Sequence, residues 1–128
     1  MNPIYDAFDV IKGKNIGSGK KLVAESGKIN IEPLTYIRGR SVHNQFMIVD
    51  ECQNLSPLEV KTIVTRAGEG TKIVLTGDVE QIDNPYVDKY SNGLSVTMAA
   101  FKDSGLAAHI IMTKGVRSRL AEEASKRL

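Results

Sequence analysis

Two short apolar runs end in acid, with a well-punctuated helical stretch between them. "FMIVDE" spans residues 46–51 and "IVLTGD" spans 73–78. Neither run alternates apolar with polar residues, as expected of strands covered on both faces in a parallel sheet. Between them, "SPLEVKTIVTRAG" predicts a helix, with Ser56 as N-cap, Pro57 at the first helical position and Gly68 at the C-terminus. Leu58, Ile63 and Val64 lie toward one face of that helix. Further on, "GLSVTMAAFKDSG" predicts a helix, "HIIMT" a third buried strand and "RSRLAEEASKRL" a closing helix. Strands alternating with helices define an α/β domain with a mainly parallel sheet.

The first third is less regular. Ile4, Phe8 and Ile11 have helical spacing, with Asn2 as a cap and Pro3 in the first turn. "KKLVAES" reads as at most a short helix ended by Gly27. Lys28 to Gly39 reads as a strand broken near Pro33. A chain of 128 residues forms one domain, and a net charge of +2 gives no global basic field. The single Cys52 fits a reducing compartment, and no apolar run approaches the ~20 residues a membrane span needs. The expectation is a soluble, cytoplasmic protein.

In an open parallel sheet, ligands bind beyond the C-terminal ends of the strands. Two of the expected strands deliver polar groups there: Asp50 and Glu51 from one, Asp78 and Gln81 from the other. An apolar strand ending in Asp-Glu matches the second nucleotide motif of P-loop NTPases, Walker B. The first carboxylate of such a pair holds Mg²⁺, usually through water, and the second polarises the attacking water as general base. Helix capping is the plainer explanation for an acid after a strand, and "TGDxxQ" on the neighbouring strand end tips the balance. An amide such as Gln81 can touch both the terminal phosphate of ATP and the attacking water. Gly77 serves either turn geometry or close backbone approach.

The stretch "YIRGRSVHNQFMIVDECQNLSPLEVKTIVTRAGEGTKIVLTGDVEQIDNP" resembles the C-terminal half of the ATPase domain of the PhoH-like family. The likeness is nearest to the branch in which a PIN ribonuclease domain precedes the ATPase, and it runs from "PIYDAFD" to "KGVRSRLAEEAS". It implies a helicase-like P-loop NTPase fold, with ATP hydrolysis linked to RNA binding or unwinding. By motif, Asp50 is then the Mg²⁺ carboxylate, Glu51 the catalytic base and Gln81 the terminal-phosphate sensor. Cys52 departs from the alanine usual in "DEAQN"; a swap between small residues leaves the chemistry alone, with oxidation of an odd thiol beside the site as the alternative.

"IGSGKK" at 16–21 invites confusion with a phosphate loop. The motif G-x-x-x-x-G-K-[ST], counted back from Gly19 and Lys20, requires glycine at position 14 and a hydroxyl at position 21. This chain has Lys14 and Lys21 there. The expectation is therefore a partial domain over 1–128, holding the carboxylate, sensor and arginine portions of a nucleotide site without the Walker A cradle. Alone it would be inactive, with an incompletely covered sheet inclined to self-association. The alternative is a non-catalytic module for RNA binding or oligomer assembly.

Arg38 and Arg40 in "YIRGRS", with Gly39 allowing a turn between them, suit either RNA phosphates or a neighbouring subunit's ATP, with a solvated basic turn as the plainer alternative. Arg117 and Arg119 resemble the late arginine that meets the terminal phosphate in helicase-like ATPases. Their alternative is pairing with Glu122 or Glu123 at a helix start. His43 and His109 read as structural. Tyr86 and Tyr90, though able to stack on bases, read as packing residues.

Overall fold

The computed structural model describes residues 29–127 except Thr35, Tyr36, Arg38 and Arg40. The helix expected around Ile4–Ile11, the "IGSGKK" loop, "KKLVAES" and both arginines of "YIRGRS" therefore lie outside the described residues. Gly39 does turn the chain, with φ of +92°.

The centre is a β-α-β unit. Strand β1 (Phe46–Val49) runs parallel to β2 (Lys72–Leu75), with Phe46 opposite Lys72 and Val49 opposite Leu75. Helix α1 (Pro57–Val64) connects them, and α2 (Gly93–Ala100) and α3 (Arg119–Arg127) follow. The α/β class is as the sequence predicts. None of these helices is long and apolar enough to cross a membrane.

Helix α1 starts where the sequence places it. Ser56 Oγ accepts from the Glu59 N–H at 3.3 Å, while Glu59 Oε2 accepts from the Ser56 N–H at 2.8 Å. This reciprocal capping box supplies about 1 kcal/mol. The helix ends at Val64, short of Gly68. The Val42 N–H donates to Arg66 O and the Gly68 N–H donates to Val42 O, so residues 66–68 leave the helix to form a parallel bridge. Val60 and Ile63 form the buried face, whereas Leu58 is 71% exposed. Burying such side chains stabilises by about 1.5–3 kcal/mol each. The face turns toward α2, whose first residue, Gly93, lies so near that an added Cβ would sit 2.4 Å from Val60 Cγ2. That close approach, rather than α1's own periodicity, selects Val60.

Helix α2 is capped by Asn92, which is fully buried and accepts from the Ser95 N–H at 2.9 Å. Its Nδ2 donates to the carbonyls of Asp88 and Lys89, fixing the loop before the helix. The helix stops at Ala100, so "FKDSG" is turn rather than helix.

Three strand expectations are corrected. "HIIMT" forms no strand: residues 107–118 are irregular, and Ile110, Ile111 and Met112 are exposed. A strand is a pairing, and this apolar segment meets no ladder partner from β1 or β2. Residues 29–33, the described start of the expected "KINIEPLTYIRG" strand, are also irregular. Finally, β1 is covered on one face only, because Phe46 and Ile48 are exposed while Met47 and Val49 are half-buried.

Candidate functional site

The parallel register brings the C-terminal ends of β1 and β2 to one edge, and the chain crosses there in two polar turns. From β1 come Asp50 and Glu51. Asp50 Oδ1 accepts from Thr76 Oγ1 at 2.6 Å and from the Glu51 N–H at 3.0 Å. Thr76, the first residue beyond β2, thus orients the acid beyond β1. Glu51 is exposed, and its backbone is left-handed at φ 58° and ψ 35°. A non-glycine residue there stores about 1–3 kcal/mol of strain, which the surroundings must offset.

The offset comes from a one-turn 3₁₀ helix, Cys52–Asn54, directly after Glu51. The Cys52 N–H donates to Thr76 O at 2.9 Å, and the Asn54 N–H returns to Glu51 O at 3.0 Å. Gln53 is fully buried, and its Nε2 donates to Glu51 Oε2 at 2.6 Å and to Gln81 O at 3.0 Å. Its Oε1 accepts from the Asp78 N–H at 3.2 Å. Asn54 holds the loop beyond, accepting through Oδ1 from the N–H groups of Asp83 and Asn84.

The second turn is Thr76–Gln81. Asp78 Oδ1 accepts from the Glu80 N–H at 2.9 Å, and Oδ2 accepts from Gln81 Nε2 at 2.6 Å. These bonds, the Glu80 N–H first, hold the Asp78 carboxyl below its ordinary range, and the positive charge of Arg117 adds to the effect. Gly77 has no positive φ, so turn geometry does not explain it. A Cβ there would meet Gln53 Oε1 at 2.4 Å, making close approach the reason for glycine.

The structure therefore gathers Asp50, Glu51, Asp78 and Gln81 at one edge, with Arg117 near enough to act on Asp78. Arg38 and Arg40 lie outside the described residues. At the start of α3, the Ala121 N–H donates to Ser118 Oγ, while Glu122 and Glu123 pair with Lys126 and Arg127 one turn on. Tyr86 and Tyr90 are 92% and 83% exposed, so the packing expected of them is overturned. Their loop is pinned through Asn84 and Asp88, which leaves both rings outside the core. The His43 ring fills the space a side chain on Gly68 would need.

The residues missed from sequence were Gln53, Asn54 and Thr76. Their signal was present, since polar residues follow each acidic strand end, but their partners are some 25 residues distant.

For Cys52 the structure removes the oxidisable alternative. It is fully buried and donates its S–H to Val49 O at 3.1 Å, and burial pushes its pKa from 9.0 up to about 12. It is a packing residue rather than an oxidisable one. A rise from 9.0 to about 12 lowers the thiolate fraction at pH 8 by about 10³-fold. Iodoacetamide should therefore label the native chain at least that much more slowly than the urea-unfolded chain; equal rates would refute the burial. The folded state holds this proton more tightly than the unfolded state. Its contribution to stability is thus complete below pH 9.0 and declines as pH rises toward about 12.

Mg²⁺ takes hard oxygen donors and commonly keeps several waters beside one or two carboxylates and substrate phosphates. The exposed Asp50 carboxylate, oriented by the Thr76 hydroxyl, fits that chemistry. Among the described residues no three or more His, Cys, Asp or Glu side chains form a metal cage, and an ion held in this way requires none.

An α/β unit with acids beyond two parallel strand ends has the form of a class of proteins that bind ligands at the C-terminal edge of the sheet. Comparison with known proteins supplies the family: residues 1–127 match the family model described as PhoH-like protein, and the chain belongs to that family, whose members are generally ATP-binding. It is 48% identical over 126 residues to "Protein PhoH2" of Bacillus subtilis (strain 168), covering 98% of this chain and 28% of that protein. It is 41% identical to a "PhoH-like protein" of Synechocystis sp., over 80% of this chain and 30% of the relative. With "Protein PhoH2" of Mycolicibacterium smegmatis it shares 37% identity over 94% of this chain and 28% of the relative. The chain thus spans under a third of the length of these relatives.

Proposed function

We propose that this chain supplies the metal and water side of an ATP-hydrolysing site in a helicase-like protein that acts on RNA. The observation that carries the proposal is the convergence of Asp50–Glu51 and Asp78–Gln81 at one sheet edge, locked together through Thr76 and Gln53. Asp50 would hold Mg²⁺, which when bound offsets charge on the terminal phosphate. Glu51 would take the proton of the attacking water, and Gln81 would report the terminal phosphate. Gln81 now bonds to Asp78, so sensing would exchange that bond for a phosphate oxygen. Arg117, on the same side, would meet the same phosphate.

The phosphate cradle would come from polypeptide outside residues 1–128, since Lys14 and Lys21 stand where a Walker A loop needs glycine and a hydroxyl. A preceding PIN ribonuclease domain is part of this proposal. Self-association is also part of it, favoured by the exposed Phe46 and Ile48 on the uncovered sheet face. We place the protein in the cytoplasm, where the lone Cys52 stays reduced.

The experiment is RNA-dependent ATP hydrolysis by the complete polypeptide, with and without Arg38→Ala and Arg40→Ala together. If both arginines contact RNA phosphates, RNA binding weakens and its single-strand salt slope falls by roughly 0.7 per lost contact. If one instead serves a neighbouring subunit's ATP, RNA affinity holds and hydrolysis falls. Mixing that variant with Glu51→Gln subunits would then restore part of the activity. Gly39, turning the chain between the arginines, favours the RNA arm. An unmodified protein that neither binds RNA nor turns over ATP would refute the proposal.

A further inference from the structure

We infer that Gln53 is a positioning residue that couples the 78–81 turn to the carboxylate of Glu51, an inference resting on the reading of Glu51 as the base. Three bonds meet on one buried amide. Its NH₂ group spends both hydrogens, on Glu51 Oε2 at 2.6 Å and on the Gln81 carbonyl at 3.0 Å. Its oxygen accepts the Asp78 N–H at 3.2 Å. Glutamine suits the position because it offers donors and an acceptor on one rigid plane; glutamate lacks the donors, and methionine has no donor and only a weak thioether acceptor.

Its freedom to move is small. Gly77 leaves only enough room for Gln53 Oε1, since a Cβ there would lie 2.4 Å from that atom. The backbone beside Gln53 is tied through the Cys52 N–H to Thr76 O and through the Asn54 N–H to Glu51 O. Between these ties, the Glu51 side chain would be free to rotate toward solvent but for the bond from Gln53. A displacement of the 78–81 turn pulls on the amide at two points, the Asp78 N–H and the Gln81 carbonyl. The same amide passes that displacement to Glu51. A group sensing the terminal phosphate and a group activating water would in this way report to each other through one side chain.

The test is a double-mutant cycle in the complete polypeptide, joining Gln53→Met with Glu51→Gln and reading kcat, nucleotide Kd and backbone amide exchange. Gln53→Met alone should lower kcat by about 10²-fold, the scale of an ångström's misplacement of a reacting group, with nucleotide Kd unchanged. In the Glu51→Gln background it should lower kcat no further, because the group it positions is already disabled. The Asp78 amide should also lose exchange protection in Gln53→Met and keep it in Glu51→Gln. Equal losses of kcat in both backgrounds would overturn the coupling, as would unchanged protection at Asp78. If Glu51→Gln itself leaves kcat intact, the base assignment fails, and the inference fails with it through an arm that identifies the cause. Should Gln53→Met not fold, Gln53→Glu keeps the size and the acceptor for the Asp78 N–H while removing the donors; the same kcat outcomes apply, and Asp78 protection should then be retained.

Discussion

Replacing Glu51 by Gln in the complete polypeptide is expected to leave ATP binding intact and lower turnover by about 10²–10⁴-fold, the usual contribution of a general base. The variant keeps the side chain's length, and its amide oxygen can still accept the bond that Gln53 Nε2 now gives to Glu51 Oε2 at 2.6 Å. The left-handed backbone at residue 51 is held by bonds to Asp50 Oδ1 and from the Asn54 N–H, neither of which involves the substituted atoms. What changes is the capacity to take a proton. Asp50 is untouched, so the metal position proposed for it would survive and nucleotide affinity should be retained. The measurement is steady-state turnover beside equilibrium nucleotide binding. A kcat equal to that of the unmodified protein would exclude Glu51 as the base.

The isolated 128-residue chain should show no ATPase activity above background and no micromolar Mg²⁺-dependent binding of a fluorescent ATP analogue. The strand-end edge is rich in acceptors: Asp50, Glu51 and Asp78 all present carboxylates. Without a cradle of N–H donors and a lysine, these charges repel the phosphates they would need to hold. Removal of a single oxyanion donor costs about 10²–10³-fold in turnover, so loss of a whole cradle carries the rate below detection. A titration of the analogue with and without Mg²⁺ checks the binding arm. Turnover that disappears in Glu51→Gln would show that the chain completes its own site, and the partial-domain reading would be wrong.

Much of this was legible because it depends on neighbours in sequence. Ser56, Pro57 and Glu59 start α1 through bonds spanning three residues, so the helix start could be read directly. The acids at the ends of β1 and β2 could be located because an apolar run that stops at Asp needs only its own pattern to be recognised. Where those local signals met distant partners, they misled. Gly68 is a reasonable helix stop, yet Val42 takes residues 66–68 into a bridge and the helix ends earlier. "HIIMT" has the composition of a buried strand, and no ladder receives it. Cys52 stands beside two carboxylates in sequence, but its thiol points to Val49 O and is buried.

Local pattern was enough for the α/β class, the start of α1, and the carboxylates at the strand ends, because capping and apolar patterning act over a few residues. Long-range packing was needed to bring Val60 rather than Leu58 into the core, since Gly93 admits it across the helix pair. The same packing makes Gly77 a glycine for the sake of Gln53, and sets Thr76 to orient Asp50. Most of all, it gives Gln53 its place between Glu51 and the 78–81 turn. The contacts at the strand ends join residues about 25 positions apart, and they exist only once the parallel register has brought two strand ends side by side. A side chain's hydrogen-bonding capacity is written in its chemistry, but which groups come within reach of it is set by packing.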